Sequence, residues 1–391
     1  MTRASPRIAE LEDALARRRE AGLARTRRTL ASPQGPRVSV GGRAMLAFAS
    51  NDYLGLANDP ALVSAAREGA LAWGVGSGAS HLVCGHQSPH EALEAELAGF
   101  VAPCPGARAL TFSSGYLANL SILSVLAGRG DAVFADRLNH ACLNDGALLS
   151  RAALVRYAHV DVDALARRLA ASEARIKVIA TDAVFSMDGD IAPLPRLLEL
   201  AEAHDAWLVV DDAHGFGVLG EGRGSLAHFG LASERIVCMG TLGKAAGAAG
   251  AFVAAHPAVI ETLVQTARPY VYTTAAPAML ACALRTALAL IRDGAPRRLQ
   301  LARLVAQFRD GAQALPWPLL PSTTAIQPLI VGASDAAVAL SSALAERGIF
   351  VPAIRPPTVP DGTARLRVSL SAAHDAGDVD ALLAALRACA S

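Results

Sequence analysis

Seven short apolar runs punctuate the middle of this 391-residue chain: Ala109–Phe112, Ala132–Ala135, Leu154–Tyr157, Lys177–Thr181, Trp207–Val210, Ile236–Met239 and Gly250–Ala254. Runs that stay apolar, instead of alternating, predict strands buried on both faces, and the helix-length spacers between most of them predict parallel crossovers. The pattern predicts an α/β fold: a large domain with a mainly parallel seven-stranded sheet covered by helices. After Pro277 one helical pattern runs to about Ile291 and another from Ala295 to Leu315, where Leu315-Pro316-Trp317-Pro318 ends it. A strand at Ala325–Val331, a helix at Asp335–Arg347, strands near Ile349 and Leu366 and a closing helix from Asp378 predict a smaller α+β C-terminal domain. The chain thus divides into an N-terminal helix and extended segment (1–50), a large domain (51–290) and a small domain (291–391), hinged near residue 290.

Charge and hydropathy narrow the function classes. Thirty-six basic against 35 acidic residues leave a net charge of +1, without the basic excess expected of a nucleic-acid binder. The longest apolar run, Ala245 to Ile260, is broken by glycines, His256 and Pro257, so no membrane span is expected. At the N-terminus Ile8, Leu11 and Leu15 share one face of a charged helix, which is not the pattern of an export signal. Six cysteines, Cys84, Cys104, Cys142, Cys238, Cys282 and Cys389, stand singly and read as small core residues of a reducing compartment. A cytoplasmic location is expected.

Polar residues recur just after the apolar runs, where open α/β sheets bind their ligands. Val210 leads into Asp211-Asp212-Ala213-His214, and Met239 into Gly240-Thr241-Leu242-Gly243-Lys244. An amine, a carboxylate, an imidazole and a hydroxyl are the groups needed by an aldehyde cofactor with a basic ring nitrogen and a phosphate. This points to pyridoxal 5′-phosphate, with Lys244 as the Schiff-base lysine. Phe112-Ser113-Ser114-Gly115-Tyr116 predicts a strand turning into a helix near Leu117, with the Gly115 and Tyr116 amides directed at an anion. His140 is placed to stack on a flat ring, and Ser186 again follows a strand. Singly, each has a plainer account: a solvated lysine, a cap, a hydrogen-bonded core histidine.

Two motifs mislead. Gly215-Phe216-Gly217-Val218-Leu219-Gly220 fits the dinucleotide fingerprint, but Glu221-Gly222-Arg223-Gly224 follows instead of a helix, and Glu234 precedes the next strand rather than ending it. Gly243-Lys244 imitates the end of a P-loop, but Ala245 replaces the required Ser or Thr.

Together with these stretches, Phe48-Ala49-Ser50-Asn51-Asp52-Tyr53-Leu54-Gly55, Gly76-Ser77-Gly78 and Val184-Phe185-Ser186-Met187-Asp188-Gly189-Asp190 resemble the α-oxoamine synthase family, of the fold type I pyridoxal phosphate enzymes, over nearly the whole chain. The resemblance implies that Lys244 carries the cofactor, Asp211 pairs with its ring nitrogen, His214 serves its ring hydroxyl and His140 stacks on it. It also implies that Gly115, Tyr116, Ser186 and Thr241 hold the cofactor, and that Arg25, Asn51, His140, Thr358 and Arg367 meet substrate. A homodimer with shared sites is implied as well, with Thr273 and Thr274 reaching the partner's phosphate. These threonines equally suit a cap on the helix near Pro277. Ala325–Gly332 and Ile354–Arg367 resemble the members that join L-alanine to a pimeloyl thioester, carried on coenzyme A or a carrier protein. A member using glycine or serine, and a non-catalytic acyl-binding protein of the same fold, remain the alternatives. Two departures from the family pattern are His81, after Gly-Ser-Gly, and Leu242, near the lysine.

Overall fold

The computed structural model describes residues 5–390. Strands β1 (Arg37–Val40) and β2 (Arg43–Ala47) form a hairpin. The next seven strands are β3 (Arg108–Phe112), β4 (Ala132–Asp136), β5 (Ala153–Tyr157), β6 (Lys177–Asp182), β7 (Ala206–Asp211), β8 (Ile236–Thr241) and β9 (Ala251–Ala255). They make one sheet in the order β3-β9-β8-β7-β6-β4-β5, parallel except that β9 runs antiparallel to both its neighbours.

The apolar runs become the central strands because both faces are covered. Val133, Phe134, Val178, Ile179, Leu208 and Val209 are all fully buried, on alternating sides of the sheet. Each such side chain contributes about 1.5–3 kcal/mol relative to exposure. The abundance of small residues lets helices approach closely: a Cβ on Gly69 would meet the backbone of Met279 in the helix Ala278–Arg292.

The remaining strands are β10 (Ile326–Gly332), β11 (Ile349–Phe350), β12 (Ala353–Ile354) and β13 (Ala364–Ser369), with β13 central in β10-β13-β12. β11 pairs in parallel with β2, so the segment before residue 50 shares a sheet with the C-terminal part and is not an independent extended arm. Helix Pro6–Glu20 has the expected position, but Ile8, Leu11 and Leu15 are exposed. The second long helix ends at Ala312, three residues short of Leu315. Among the described residues no helix is long and apolar enough to cross a membrane.

Candidate active site

The parallel strands β4, β6, β7 and β8 deliver their C-terminal ends to one edge, and β3 joins them across β9, because Phe112 and Thr241 both pair with Ala251. The helix after β3 starts at Gly115, two residues earlier than the sequence suggested, since the Ser114 hydroxyl accepts the Leu117 amide. Of its first four amides, Ala118 bonds the Ser114 carbonyl, leaving those of Gly115 and Tyr116 directed outward. Tyr116 gives its own hydroxyl to Asp145.

Lys244 lies where the chain turns from β8 toward β9. Its Nζ is 2.8 Å from His214 Nε2, and His214 Nδ1 is 2.6 Å from the Tyr53 hydroxyl. Tyr53 donates to Asn51 Oδ1 at 3.2 Å, which also accepts from Arg367 Nη1 at 3.1 Å. Amine, imidazole, phenol, amide and guanidinium therefore form one connected row. Burial holds the Lys244 amine below its ordinary value, with the Asp211 and Asp182 carboxylates pulling the other way. Burial, followed by the charges of Lys244 and Arg367, drives His214 well below 6.5, so it is neutral. A charged Lys244 donates to it and an uncharged one accepts from it, with the Tyr53 proton reorienting to match.

Asp211 closes β7 beside Met239 of β8 and Asp182 of β6. Its Oδ1 accepts the Ala213 amide, and its Oδ2 accepts from Asn119 Nδ2 at 2.7 Å. Asp182 accepts the His140 amide at 2.8 Å; burial, then the neighbouring Asp211 charge, raises its carboxyl far above the usual range. His140, exposed, caps the helix Ala141–Ser150.

Ser186 is fixed through its carbonyl, which accepts from Arg367 Nε at 2.6 Å. Arg367 is buried, with Nη1 bonded to Asn51 and to the Ser369 hydroxyl; Nη2 has only a 3.5 Å contact with Tyr53 and is the freest donor. Thr241 bonds the Gly250 carbonyl. Arg25 and Thr358 lie apart from this row, on the rim of a cleft of about 600 Å³ shared with Arg28, Phe350 and Arg355. Arg355 anchors it by donating to the Ala24 carbonyl. Thr274 is exposed and bridges Ser80, and the helix Ala278–Arg292 has no side-chain cap, so the threonines do not cap it.

The misleading glycine motif has a structural origin. Asp212 accepts from both the amide and hydroxyl of Ser225, and the loop wraps it so tightly that a Cβ on Gly215 or Gly224 would strike its carboxylate. Gly224 also has φ +102, a conformation open to glycine. Of the two departures, Leu242 packs in the core. His81 stacks on Tyr270 at 5.0 Å, with its Nδ1 2.8 Å from His86 Nδ1; burial, then the charges of His86 and His90, lowers it to about 4.

Sequence reasoning assigned no role to Tyr53, Asn119, Cys142 or His159. Asn119 sits one helical turn beyond Gly115, a spacing that could have revealed it. His159 binds Asp136 at 3.0 Å and Asp190 at 2.9 Å, joining the loops that carry His140 and Ser186. Burial works to lower its pKa, but the two carboxylates win and raise it to about 10. Its charge thus stabilises the fold fully below its ordinary value of about 6.5, and that contribution disappears as pH rises through about 10. His159→Gln should show a Tm deficit that is largest near pH 6 and nearly closed at pH 10; a deficit independent of pH contradicts the ion-pair account.

The chain belongs to the class I and II aminotransferase family, whose model matches residues 43–386. Within that family its relatives include the 8-amino-7-oxononanoate synthases of Polaromonas naphthalenivorans, 62% identical over 387 residues (95% of each chain), and Herminiimonas arsenicoxydans, 60% identical over 380 (96% of this chain, 97% of the other). Among solved structures, a serine palmitoyltransferase from S. paucimobilis with bound PLP has a TM-score of 0.90 at 29% identity, covering 97% of this chain and 96% of its own. An 8-amino-7-oxononanoate synthase from Francisella tularensis has a TM-score of 0.75 at 32% identity, covering 88% and 98%.

Proposed function

We propose that this chain condenses L-alanine with a pimeloyl thioester, on coenzyme A or a carrier protein, giving 8-amino-7-oxononanoate, carbon dioxide and free thiol in biotin synthesis. The observation that carries the reading is the connected row from Lys244 through His214 and Tyr53 to Arg367, an amine able to exchange a proton in line with a guanidinium that keeps one nearly free nitrogen. Full-length relatives at about 60% identity support the choice of family member.

The residues present fit pyridoxal 5′-phosphate: a half-buried amine, a buried carboxylate and two outward amides at a helix N-terminus. Bound there, the cofactor supplies an electrophilic carbonyl for amines and a ring that accepts the electron pair left at Cα. Lys244 would hold it, Gly115, Tyr116 and Thr241 its phosphate, His140 its face, and Ser186 and His214 its ring substituents. Asp211 keeps a ring-nitrogen proton in place, because an adjacent carboxylate favours the cationic form. Lys244 Nζ then takes the alanine Cα proton, and the His214–Tyr53 row accommodates the change of charge. Arg367 Nη2 receives the alanine carboxylate. Arg25 and Thr358, on their cleft, meet the acyl donor.

Arg367→Lys retains charge but loses the planar fork. Its KM for alanine should rise about tenfold or more, the cost of a hydrogen bond to a charged group, while cofactor absorbance is retained. An unchanged KM contradicts the assignment. A matrix of alanine, glycine and serine against acetyl, succinyl, palmitoyl and pimeloyl thioesters tests the reaction itself: preference for any pair other than alanine and pimeloyl overturns it.

The same reading includes a cytoplasmic homodimer, and treats 51–290 as the large domain and 291–391, joined by the β1–β2 hairpin, as the small one. Leu71, Val75, Val83 and Tyr272 are each more than half exposed, and the Ser80–Thr274 bridge gathers the last two near Thr273 and Thr274. Exposed apolar side chains beside Thr273 and Thr274 suit a partner subunit. Sedimentation that shows only monomer contradicts it.

A further inference from the structure

Asn119 is completely buried, and its Nδ2 lies 2.7 Å from Asp211 Oδ2 and 3.1 Å from Cys142 Sγ. An amide nitrogen carries two hydrogens, and both are thereby directed. Its Oδ1 is buried without a partner, yet the amide cannot be flipped: the oxygen would then face the Asp211 carboxylate, acceptor against acceptor. The Cys142 sulfur therefore accepts from Asn119 and must send its own hydrogen elsewhere. His140 Nδ1 is 2.8 Å away. The Cys142 backbone amide points at the same nitrogen from 3.3 Å.

A ring nitrogen that receives two donors is the lone-pair nitrogen, so the proton of the neutral ring sits on Nε2. We propose that Cys142 is a positioning residue: with Asn119 it sets His140 in the Nε2–H tautomer, so that His140 offers a neutral N–H donor to an oxygen of the bound substrate. The thiol keeps the hydrogen this needs, because burial and then the Asp211 charge push it up to about 12. Desolvation of its ring nitrogens also holds His140 below its ordinary value of 6.5, with the opposing pull of Asp211 met in part by Lys244. The donor chain begins at the carboxylate assigned to the cofactor ring and ends at the imidazole assigned to its face, so its role in catalysis rests on the reaction proposed above. Its direction does not.

The test is the ¹⁵N spectrum of the His140 ring in the holoenzyme without substrates, for the parent and for Cys142→Ser and Cys142→Val. Serine keeps a donor at this place and valine fills the space without one. The parent and the serine variant should show a pyridine-like Nδ1 and a pyrrole-like Nε2 from pH 6 to 9. The valine variant should show a mixture of tautomers, with KM for substrate raised about two- to tenfold, the worth of one neutral hydrogen bond, and a smaller change in kcat. A protonated Nδ1 in the parent, or a valine variant with parental spectrum and KM, overturns the proposal. Since the spectrum needs no turnover, the expected tautomers in a protein inactive on alanine and pimeloyl thioester would leave the positioning role standing and remove only the proposed reaction.

Discussion

Lys244→Ala is expected to lose at least about two to four orders of magnitude in turnover, the loss typical of a missing general base, and more because the anchoring amine goes with it. The chain makes the assignment unusually easy to check, since Lys177 is the only other lysine. Lys177 begins β6, at the opposite end of the strand from the site. Borohydride reduction of the holoenzyme followed by peptide mass mapping should place the pyridoxyl group on Lys244 alone. Modification of Lys177 contradicts the site. The variant should fold, because Lys244 makes its one side-chain hydrogen bond to His214 and is not itself part of the apolar core.

Asp211→Asn should keep the fold and the cofactor but reduce turnover by about 10²-fold or more, the range seen when one preorganised charge-stabilising group is removed. The amide is nearly isosteric, yet it cannot hold a proton on a ring nitrogen. With its oxygen kept on the Ala213 amide, the new carboxamide turns its nitrogen toward Asn119, whose own amide must flip so that Oδ1 accepts in place of Nδ2 donating. Near-parental turnover would mean that the Asp211 charge has no part in the chemistry.

The fold was legible because its strongest signals are local. Most of the seven runs are almost wholly apolar, which suits strands with helices over both faces, and each overlaps an observed strand of the central sheet; Leu154–Tyr157, interrupted by Arg156, is an edge strand. The link between β2 and β11 was not legible, since it joins residues some 300 apart through two short strands with little pattern of their own. In the site, Asp211, His214, Thr241 and Lys244 declared themselves as polar groups after apolar strands. Tyr53, Asn119 and His159 did not, because a tyrosine in a loop, an asparagine inside a helix and a histidine near a turn have many ordinary uses. What distinguishes them is the partner each meets in space. Cys142 was read as a small core residue, and it is buried, but its sulfur faces Asn119 and His140.

The central claim is a condensation that expels the amino-acid carboxyl group, carried out in a family named for amino transfer. L-alanine labelled with ¹³C at the carboxyl carbon, incubated with the holoenzyme and pimeloyl-CoA, tests this most directly. The account predicts one labelled carbon dioxide for each thiol released and an unlabelled nine-carbon amino ketone. Label retained in pyruvate, or thiol release without labelled carbon dioxide, would contradict it.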